Sequence, residues 1–451
     1  MPLAADEAYY RVWAHALAPG YLDHPPMVAL WIRAGIGLLG ETPLGVRLFS
    51  PIGALLGSLL LARAGEDLVP GQGTGWRAAW LLNATLLLNA GAVTATPDTP
   101  LLLFWTASLA ALARLLRTGN GKWWLAAGVA AGLGFDSKYT AALLAPALLL
   151  WVVMVPELRG WLRRWQPYAA VTIAVLLTLP TLEWNAHHGW ASFVRQGGRT
   201  AAWHPAAALS HIGELVAGQV GLATPLLFVV FVAGFVGVRR DGGWRRPGPG
   251  LLLATALVPT AVFLEHALGD RVQANWPAIV YPGAALAAAI ACPPWRRAAM
   301  SLGMALSAIV VAQAAFAPFA LPRRVDFSLI RLAGWRDLAV QAEFLRRASG
   351  IDCVASDDYG VAAELAWYAT APVLGAEPRW RYFALPPALA NCRSVLLVRS
   401  TRRAGPPPRA IWGDVTPAGI GIRARDGIVA ETYIFYRADT PVGAVLLPAR
   451  D

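Results

Sequence analysis

The apolar positions of the first 320 or so residues fall into long runs that are separated by short polar connections. An α-helix needs roughly 17 to 20 apolar residues to cross a bilayer. Runs of this kind predict about ten spans, near residues 47–65, 77–95, 100–116, 123–136, 140–156, 168–183, 221–238, 250–268, 275–292 and 298–317. The earlier run at 27–39 is shorter and amphipathic, so we expect it to lie at the membrane interface. The pattern therefore predicts an all-α polytopic membrane domain.

The pattern changes after Pro322, where short β-like runs alternate with helical patterns as far as Asp451. Period-two strands mixed with helices are typical of a small α/β domain. We therefore divide the chain into a first loop with interfacial helices at 1–45, a transmembrane domain at 46–322 and a soluble domain at 323–451.

The three cysteines add little about the membrane part, where Cys292 is expected in a helix as a small apolar residue. Cys353 and Cys392 each border an apolar run of the soluble domain. A disulfide between them and a pair of unlinked buried thiols both remain open from the sequence.

Composition also indicates a membrane protein, since 57% of the residues are hydrophobic and 14% are charged. The mean hydropathy is +0.48. A soluble protein carries roughly a quarter charged residues. The net charge of +11 could suggest nucleic acid as a partner. The cations instead cluster between apolar runs, which is the distribution of cytoplasmic loops and argues against nucleic-acid binding.

Counting cations in alternate connections orients the chain. The cation-rich connections, which we assign to the cytoplasm, are 114–122, 159–164, 239–246 and 296–297. The remaining connections then face outwards, together with the start of the chain and the soluble domain. They hold the unusual polar residues, at 96–100, 136–139, 183–220 and 270–276. We therefore expect one shared site on the outer face.

Acids and aromatics are concentrated at the start of the chain, in the strings DEAYY at 6–10 and YLDHPP at 21–26. Acids beside a membrane mark chemistry more often than architecture. The pattern D-E-A-Y-Y-x-x-W followed by Y-x-D-H-P-P resembles the first extracytoplasmic loop of the GT-C glycosyltransferases. This group includes the protein O-mannosyltransferases and the aminoarabinose transferases of lipid A. The resemblance implies an inner-membrane enzyme that moves a sugar, with inversion, from a polyprenyl phosphate to an acceptor hydroxyl.

The resemblance assigns the role of general base to Asp6, because Asp6 matches the catalytic loop aspartate of the family. The attacking hydroxyl must lose a proton, whereas the departing phosphate needs cations. Glu7 is expected to support the site and Tyr10 to bind the donor. The alternative is that Asp6 only caps the helix that the pattern predicts at 8–16.

Three cations are candidates for binding the donor phosphate. Lys138, in the string GFDSKY, resembles the phosphate-binding lysine of the family; the alternative is a lysine that snorkels from a helix end. His24 stands where relatives carry a lysine before the prolines, and it is only partly charged at neutral pH. Arg271 and the string NWP at 275–277 resemble a further loop of bacterial members, although Trp276 also suits an aromatic anchor at the membrane interface.

Three other residues are expected to support the substrate, namely Asp23, Asp98 and Tyr139. Asp98 lies in the string TPDTP, which matches a second acidic motif of the group, and its alternative role is a helix cap. Asp23 could instead be a solvated residue of a proline turn. Tyr139 directly follows the lysine motif.

No cofactor is expected, and a divalent metal is left open near Glu183, His187 and His188. Adjacent histidines do not converge on one metal as readily as an i, i+4 pair does. The sequence carries no glycine-rich nucleotide loop, which favours a lipid-linked donor. The competing function is a transporter or flippase of a lipid-linked sugar, but the paired, broken repeats typical of transporters are not visible. The sugar, the oligomeric state and the acceptor, whether an envelope glycan, a lipid or a protein, stay open.

The acidic motif begins only five residues after Met1. An outward-facing loop needs a preceding helix to carry it across the membrane, and relatives have one. We therefore expect an in-frame apolar stretch of about 20 residues upstream of Met1, which would give about eleven spans.

Overall fold

The computed structural model describes residues 1–197, 205–403 and 405–450. The chain forms two compact units. The first combines residues 1–18, 29–48 and 311–451, so the start of the chain belongs with its last third. The second consists of residues 19–28 and 49–310.

The long helices confirm a multi-pass membrane protein. Within the described residues, five helices are long and apolar enough to span a bilayer, and they are Pro43–Leu68, Asp98–Thr118, Trp165–His187, Pro247–Ala267 and Arg296–Phe316. Two bent helix pairs raise the number to as many as seven if each pair is one span. The pairs are Tyr139–Met154 with Pro156–Arg163, at 114°, and Ala206–Ala223 with Pro225–Arg240, at 102°. The larger number of ten spans stays a prediction.

The span Pro43–Leu68 consists of two helices, Pro43–Arg47 and Phe49–Leu68. Further α-helices of the described residues are Ala5–His15, Met27–Leu39, Thr74–Asn83, Leu86–Ala92, Lys122–Phe135, Leu144–Met154, Ala191–Gly197, Pro205–Ala223, Pro225–Arg240 and Tyr281–Ala291. The 3₁₀ helices are Tyr139–Leu143, Pro156–Arg163, Gly243–Arg245 and Trp276–Val280.

The structure differs from the hydropathy pattern at 77–95, where two helices replace one. Ala84 ends the first helix, and the side chain of Thr85 accepts a hydrogen bond from the N–H of Leu88 at 3.2 Å. This is N-cap chemistry, which starts a new helix whatever the hydropathy of the segment. The outer connection predicted at 183–220 likewise contains the helices Ala191–Gly197 and Pro205–Ala223.

The predicted helix at 275–292 begins as a 3₁₀ helix around Pro277 and ends before Cys292. Cys292 has a left-handed backbone, with φ of 48°. It therefore terminates the helix Tyr281–Ala291 and does not lie inside it, which corrects the expectation from the sequence.

Glycines bring the membrane helices close together. A Cβ on Gly128 would lie 2.4 Å from the carbonyl oxygen of Ala170, and one on Gly234 would lie 2.5 Å from the backbone nitrogen of Ala288. Small residues allow such backbone contact, which replaces the missing hydrophobic driving force between helices in lipid.

The last part of the chain forms a sheet domain, as predicted. Its strands are β1 (Cys353–Ser356), β2 (Val373–Gly375), β3 (Ser394–Ser400), β4 (Thr416–Arg425), β5 (Ile428–Asp439) and β6 (Val445–Leu446). They follow the order β4-β5-β3-β1-β2-β6. β1 runs parallel to β2 and β3, whereas the other pairs are antiparallel. The helices of this domain are Phe327–Leu332, Trp335–Ala348, Tyr359–Tyr368 and Arg409–Trp412, with a 3₁₀ helix at Pro378–Tyr382.

The first strand of the β4–β5 hairpin has a weak sequence signal. Asp426 and Gly427 both have positive φ angles, of 50° and 76°, as a two-residue hairpin turn requires. Gly421 in β4 leaves room for the ring of Phe435, which a Cβ would meet at 2.3 Å. The strand thus contains glycine for a packing reason, and glycine weakens the sequence signal for a strand.

Cys353 and Cys392 form a disulfide, with their Cα atoms 5.6 Å apart. The bond links the start of β1 to the segment that precedes β3. Of the two possibilities left by the sequence, the structure shows the linked pair.

Candidate active site

Asp6 lies in the first turn of the helix Ala5–His15, and its side chain is exposed. The N-cap position belongs to Ala4, whose N–H donates to the carboxylate of Glu7 at 2.9 Å. Asp6 is therefore not the cap of this helix. Its carboxylate accepts a hydrogen bond from the hydroxyl of Tyr359 at 3.1 Å.

Glu7 is turned inwards and is only 1% exposed. The guanidinium of Arg47 donates to both of its oxygens, at 2.7 and 2.6 Å, and also to the carbonyl oxygens of Met1 and Pro2. Burying a charged side chain is costly unless an opposite charge pairs with it, as Arg47 does here. In the structure Glu7 thus holds the turn that presents Asp6, and its supporting role at the site stays a prediction.

Tyr10 is buried within an aromatic cluster. Its ring centroid lies 5.0 Å from that of Trp13 and 5.9 Å from that of Tyr9. The predicted role in binding the donor stays a prediction, and the structure gives the ring a packing role.

The far end of the same helix is fixed by Arg11, which is fully buried. Its guanidinium donates to Glu41 at 2.7 Å and to the carbonyl oxygens of Pro448 and Ala449 at 2.6 and 2.5 Å. Burial acts to raise the pKa of Glu41, but hydrogen bonds from His15 and Arg11 hold it below its ordinary value. The helix that carries Asp6 is therefore fixed at both ends.

Glu364, on the helix Tyr359–Tyr368, is a buried acid of a different kind. It is 1% exposed, and neither carboxylate oxygen has a hydrogen-bond partner among the described residues. Burial raises the pKa of Glu364 well above its ordinary value. The positive charges of Arg423 and Arg47 act to lower this pKa, and the negative charge of Glu7 acts to raise it.

A raised folded-state pKa makes stability fall as the pH rises from the unfolded value towards the folded one. We expect Glu364→Gln to flatten this dependence, so that the difference in unfolding free energy between pH 5 and pH 8 is smaller in the variant than in the native chain. Thermal unfolding at both pH values, followed by tryptophan fluorescence, measures it. Glu343→Gln is the matched control, because hydrogen bonds from Arg346 and Arg347 lower the pKa of Glu343. This variant should lose about the same unfolding free energy at both pH values. An unchanged slope in Glu364→Gln would contradict the expectation.

In the second unit, three separate sequence motifs meet at Asp98. The ammonium of Lys138 donates to one oxygen of its carboxylate at 2.6 Å, and the amide of Asn275 donates to the other at 2.6 Å. Pro97 holds the N-cap position, so Asp98 is not the cap of its helix. The structure thus joins the TPDTP, GFDSKY and NWP strings in one buried cluster.

Lys138 is only 5% exposed, which rules out a snorkelling lysine. An ammonium has three donors. The contact with Asp98 uses one of them and fixes the position of the charge. The arrangement is that of a fixed cation with donor capacity left for an anion.

The loop of the YLDHPP string is held by the helix Ala191–Gly197. Arg195 pairs with the carboxylate of Asp23 at 2.7 Å, and Gln196 donates to the carbonyl oxygen of Asp23 at 2.9 Å. The hydroxyl of Ser192 donates to the carbonyl oxygen of Tyr21 at 2.7 Å. Asp23 is therefore in an ion pair and not a solvated turn residue. Arg195 was missed from the sequence, because nothing local marks its partner.

The remaining predicted residues lie at various degrees of exposure. His24 is half-buried in the same loop. Tyr139 is half-buried, with the amide of Asn185 3.4 Å from its hydroxyl. Arg271 is exposed and pairs with Glu214 at 2.6 Å. Their roles in donor or substrate binding stay predictions.

The histidine string has no metal geometry. Glu183 and His187 are exposed and 3.8 Å apart, while His188 bonds to the carbonyl oxygen of Trp184. Across residues 1–197, 205–403 and 405–450, no three His, Cys, Asp or Glu side chains are grouped so that they could hold a metal.

The chain matches known proteins of one class. A family model described as dolichyl-phosphate-mannose-protein mannosyltransferase matches residues 23–184. The lipid A galacturonosyltransferase RgtD of Rhizobium johnstonii is 25% identical over 367 residues, which cover 80% of this chain and 76% of RgtD.

Solved structures show the same fold. ArnT from Cupriavidus metallidurans, bound to undecaprenyl phosphate, superposes with a TM-score of 0.60 at 14% identity, covering 96% of this chain and 92% of ArnT. Its apo state gives a TM-score of 0.59 at 15% identity, with 96% and 94% covered. Together, these matches show that the chain is similar to membrane glycosyltransferases over most of its length and that it shares the fold of ArnT.

Proposed function

We propose that this enzyme transfers a sugar from a polyprenyl-phosphate donor to an acceptor hydroxyl on the outer face of the inner membrane. The observation that carries the proposal is the exposed Asp6, presented by a helix whose first turn is fixed through Glu7 and Arg47. In this topology the start of the chain and the sheet domain both lie outside the cytoplasm. The similarity to RgtD supports the same class of reaction, and nothing in the comparisons supports a flippase.

The reaction is a single displacement with inversion. The acceptor oxygen forms a bond to the anomeric carbon as the bond from that carbon to the phosphate oxygen breaks. The carboxylate of Asp6 takes the hydroxyl proton, and polyprenyl phosphate leaves with the electron pair of the broken bond. A phosphate is a good leaving group without an acid, so cations suffice to stabilise it.

We assign the main phosphate contact to Lys138. Asp98 holds its ammonium in place, and Asn275 donates to the other oxygen of Asp98. His24, Arg271 and Tyr10 are the weaker candidates for donor binding. Asp23 and Tyr139 support the substrate through the loop and helix that carry them. The proposal requires no metal.

The acceptor we propose is lipid A or a lipid of the same class, because RgtD is a lipid A galacturonosyltransferase and matches most of the chain. The test uses the purified full chain in lipid nanodiscs. Donors are undecaprenyl phosphate carrying galacturonic acid, aminoarabinose or mannose, and acceptors are lipid A or a serine-rich peptide.

Mass spectrometry should show lipid A gaining one sugar residue, with free undecaprenyl phosphate released in equal amount. EDTA should leave the rate unchanged. Modification of the peptide alone would replace the lipid acceptor by a protein one. Release of no undecaprenyl phosphate with any donor, together with movement of intact donor across proteoliposomes, would contradict the proposal and favour a flippase.

A further inference from the structure

The helix that presents Asp6 packs against the sheet domain within the first unit. The ring centroid of Tyr9 lies 4.5 Å from that of Tyr359 and 5.5 Å from that of Trp380. A Cβ on Gly360 would lie 3.0 Å from the Cβ of Ala5, so the two helix N-termini are almost in backbone contact. The helix that carries Asp6 and the helix that begins at Tyr359 are therefore in close contact.

Tyr359 is the first residue of its helix, and its backbone is fixed. The carboxylate of the preceding residue, Asp358, accepts hydrogen bonds from the N–H groups of Gly360 and Val361 at 2.9 and 3.0 Å. Such a cap stabilises the first helical turn. The Cα–Cβ direction of Tyr359 is thereby set.

The ring of Tyr359 is also held from one face. The guanidinium carbon of Arg379 lies 3.8 Å from the ring centroid, a cation–π contact, and Arg379 is paired with Glu377 at 3.2 Å. The ring is thus held between Arg379 and Tyr9, and its hydroxyl donates to the carboxylate of Asp6 at 3.1 Å.

We propose that Tyr359, a residue of the sheet domain, is a positioning residue for the general base Asp6. This inference rests on the proposed function. The phenol donates to one oxygen of the carboxylate that is proposed to take the acceptor proton. A hydrogen bond donated to a carboxylate also favours its ionised form, which is the form a base needs. The sheet domain thus takes part in the chemistry of the first loop.

Other charged groups surround this contact and enter the design of the test. On the packed elements they are Glu7, Arg47, Asp357, Asp358, Glu377, Arg379 and Arg403. Burial raises the pKa of Glu377, which Arg379 opposes. The pH profile is therefore measured in the native background and also in a Glu377→Gln background.

The test variant is Tyr359→Phe, which keeps the ring for Arg379 and removes only the hydroxyl. We expect kcat to fall about tenfold, as for a lost hydrogen bond to a charged group. KM for the donor should stay within about twofold, since binding does not use the phenol. The acid limb of the kcat profile should move to higher pH in both backgrounds, because the carboxylate is more easily protonated without its donor.

Tyr368→Phe is the control, because Tyr368 lies at the other end of the same helix. It should keep the native kcat and the native pH profile. Thermal unfolding of both variants separates a structural effect from a positioning one.

An unshifted pH profile in Tyr359→Phe, with Asp6→Asn inactive, would overturn the inference and leave the proposed function intact. A fall in kcat that only follows a lower unfolding temperature would overturn it as well. Failure of the proposed function has a different signature, in which Asp6→Asn keeps native turnover.

Discussion

Asp6→Asn is expected to abolish sugar transfer while leaving donor binding and the fold nearly unchanged. The amide keeps the size of the side chain and still accepts the hydrogen bond from Tyr359, but it does not accept a proton. Loss of a general base typically costs on the order of 10² to 10⁴ in rate. Because Asp6 is exposed, the substitution places no new polar group in the core. Initial rates with saturating donor and acceptor measure the effect.

The matched control is Asp241→Asn, an exposed aspartate whose partner is Arg246 in a predicted cytoplasmic loop. It should retain native turnover. Equal and native-like rates for both variants would remove Asp6 from the mechanism.

Lys138→Ala is expected to weaken donor binding and to slow departure of the phosphate by a large factor. The variant removes a fixed cation from the leaving group and also leaves the carboxylate of Asp98 buried without its cation. Breaking a buried pair in this way costs about 3–5 kcal/mol of stability. Lys138→Arg should retain part of both functions, because it keeps the charge but not the compact geometry of the ammonium.

Two further variants separate binding from stability. Lys138→Ala combined with Asp98→Ala should regain stability but not donor affinity, since no unpaired charge is left. Lys122→Ala is the natural control, because the sequence contains only two lysines and Lys122 is exposed. Calorimetry with undecaprenyl phosphate gives the affinity. Native affinity in Lys138→Ala would assign Lys138 a purely structural role.

The residues of the candidate site could be found from the sequence because each lies in a short motif of unusual polarity in an apolar chain. Their pairing could not. Asn275 lies 177 residues from Asp98, and Tyr359 lies 353 residues from Asp6. Such contacts depend on helix packing, which hydropathy does not specify. Arg195 had no local signal at all, since an arginine in a polar connection usually faces water.

The fold class followed from the lengths of the apolar runs, but helix ends did not. Thr85 starts a new helix by its cap, and a hydropathy average over the segment is blind to one hydroxyl. Gly421 shows the same limit in the sheet, where the volume of Phe435 decides which residue fits. Hydrogen bonds between residues far apart in the sequence, such as those from Arg11 to the carbonyl oxygens of Pro448 and Ala449, have no sequence signature.

Arg11 donates to the carbonyl oxygens of Pro448 and Ala449, which follow it by 437 and 438 positions in the sequence. This separation affects the order in which the contacts of the helix can form during synthesis. The helix with Asp6 is among the first parts of the chain to be synthesised, yet its anchoring carbonyl groups are made more than 400 residues afterwards. At roughly 5–20 residues per second, the interval is on the order of 20 to 90 seconds. During that interval the helix is held by contacts within the first 47 residues, such as those of Glu7 with Arg47 and of Arg11 with Glu41. The contacts of this helix with the sheet domain, including the hydrogen bond from Tyr359 to Asp6, are therefore expected to form only after the sheet domain has been translated.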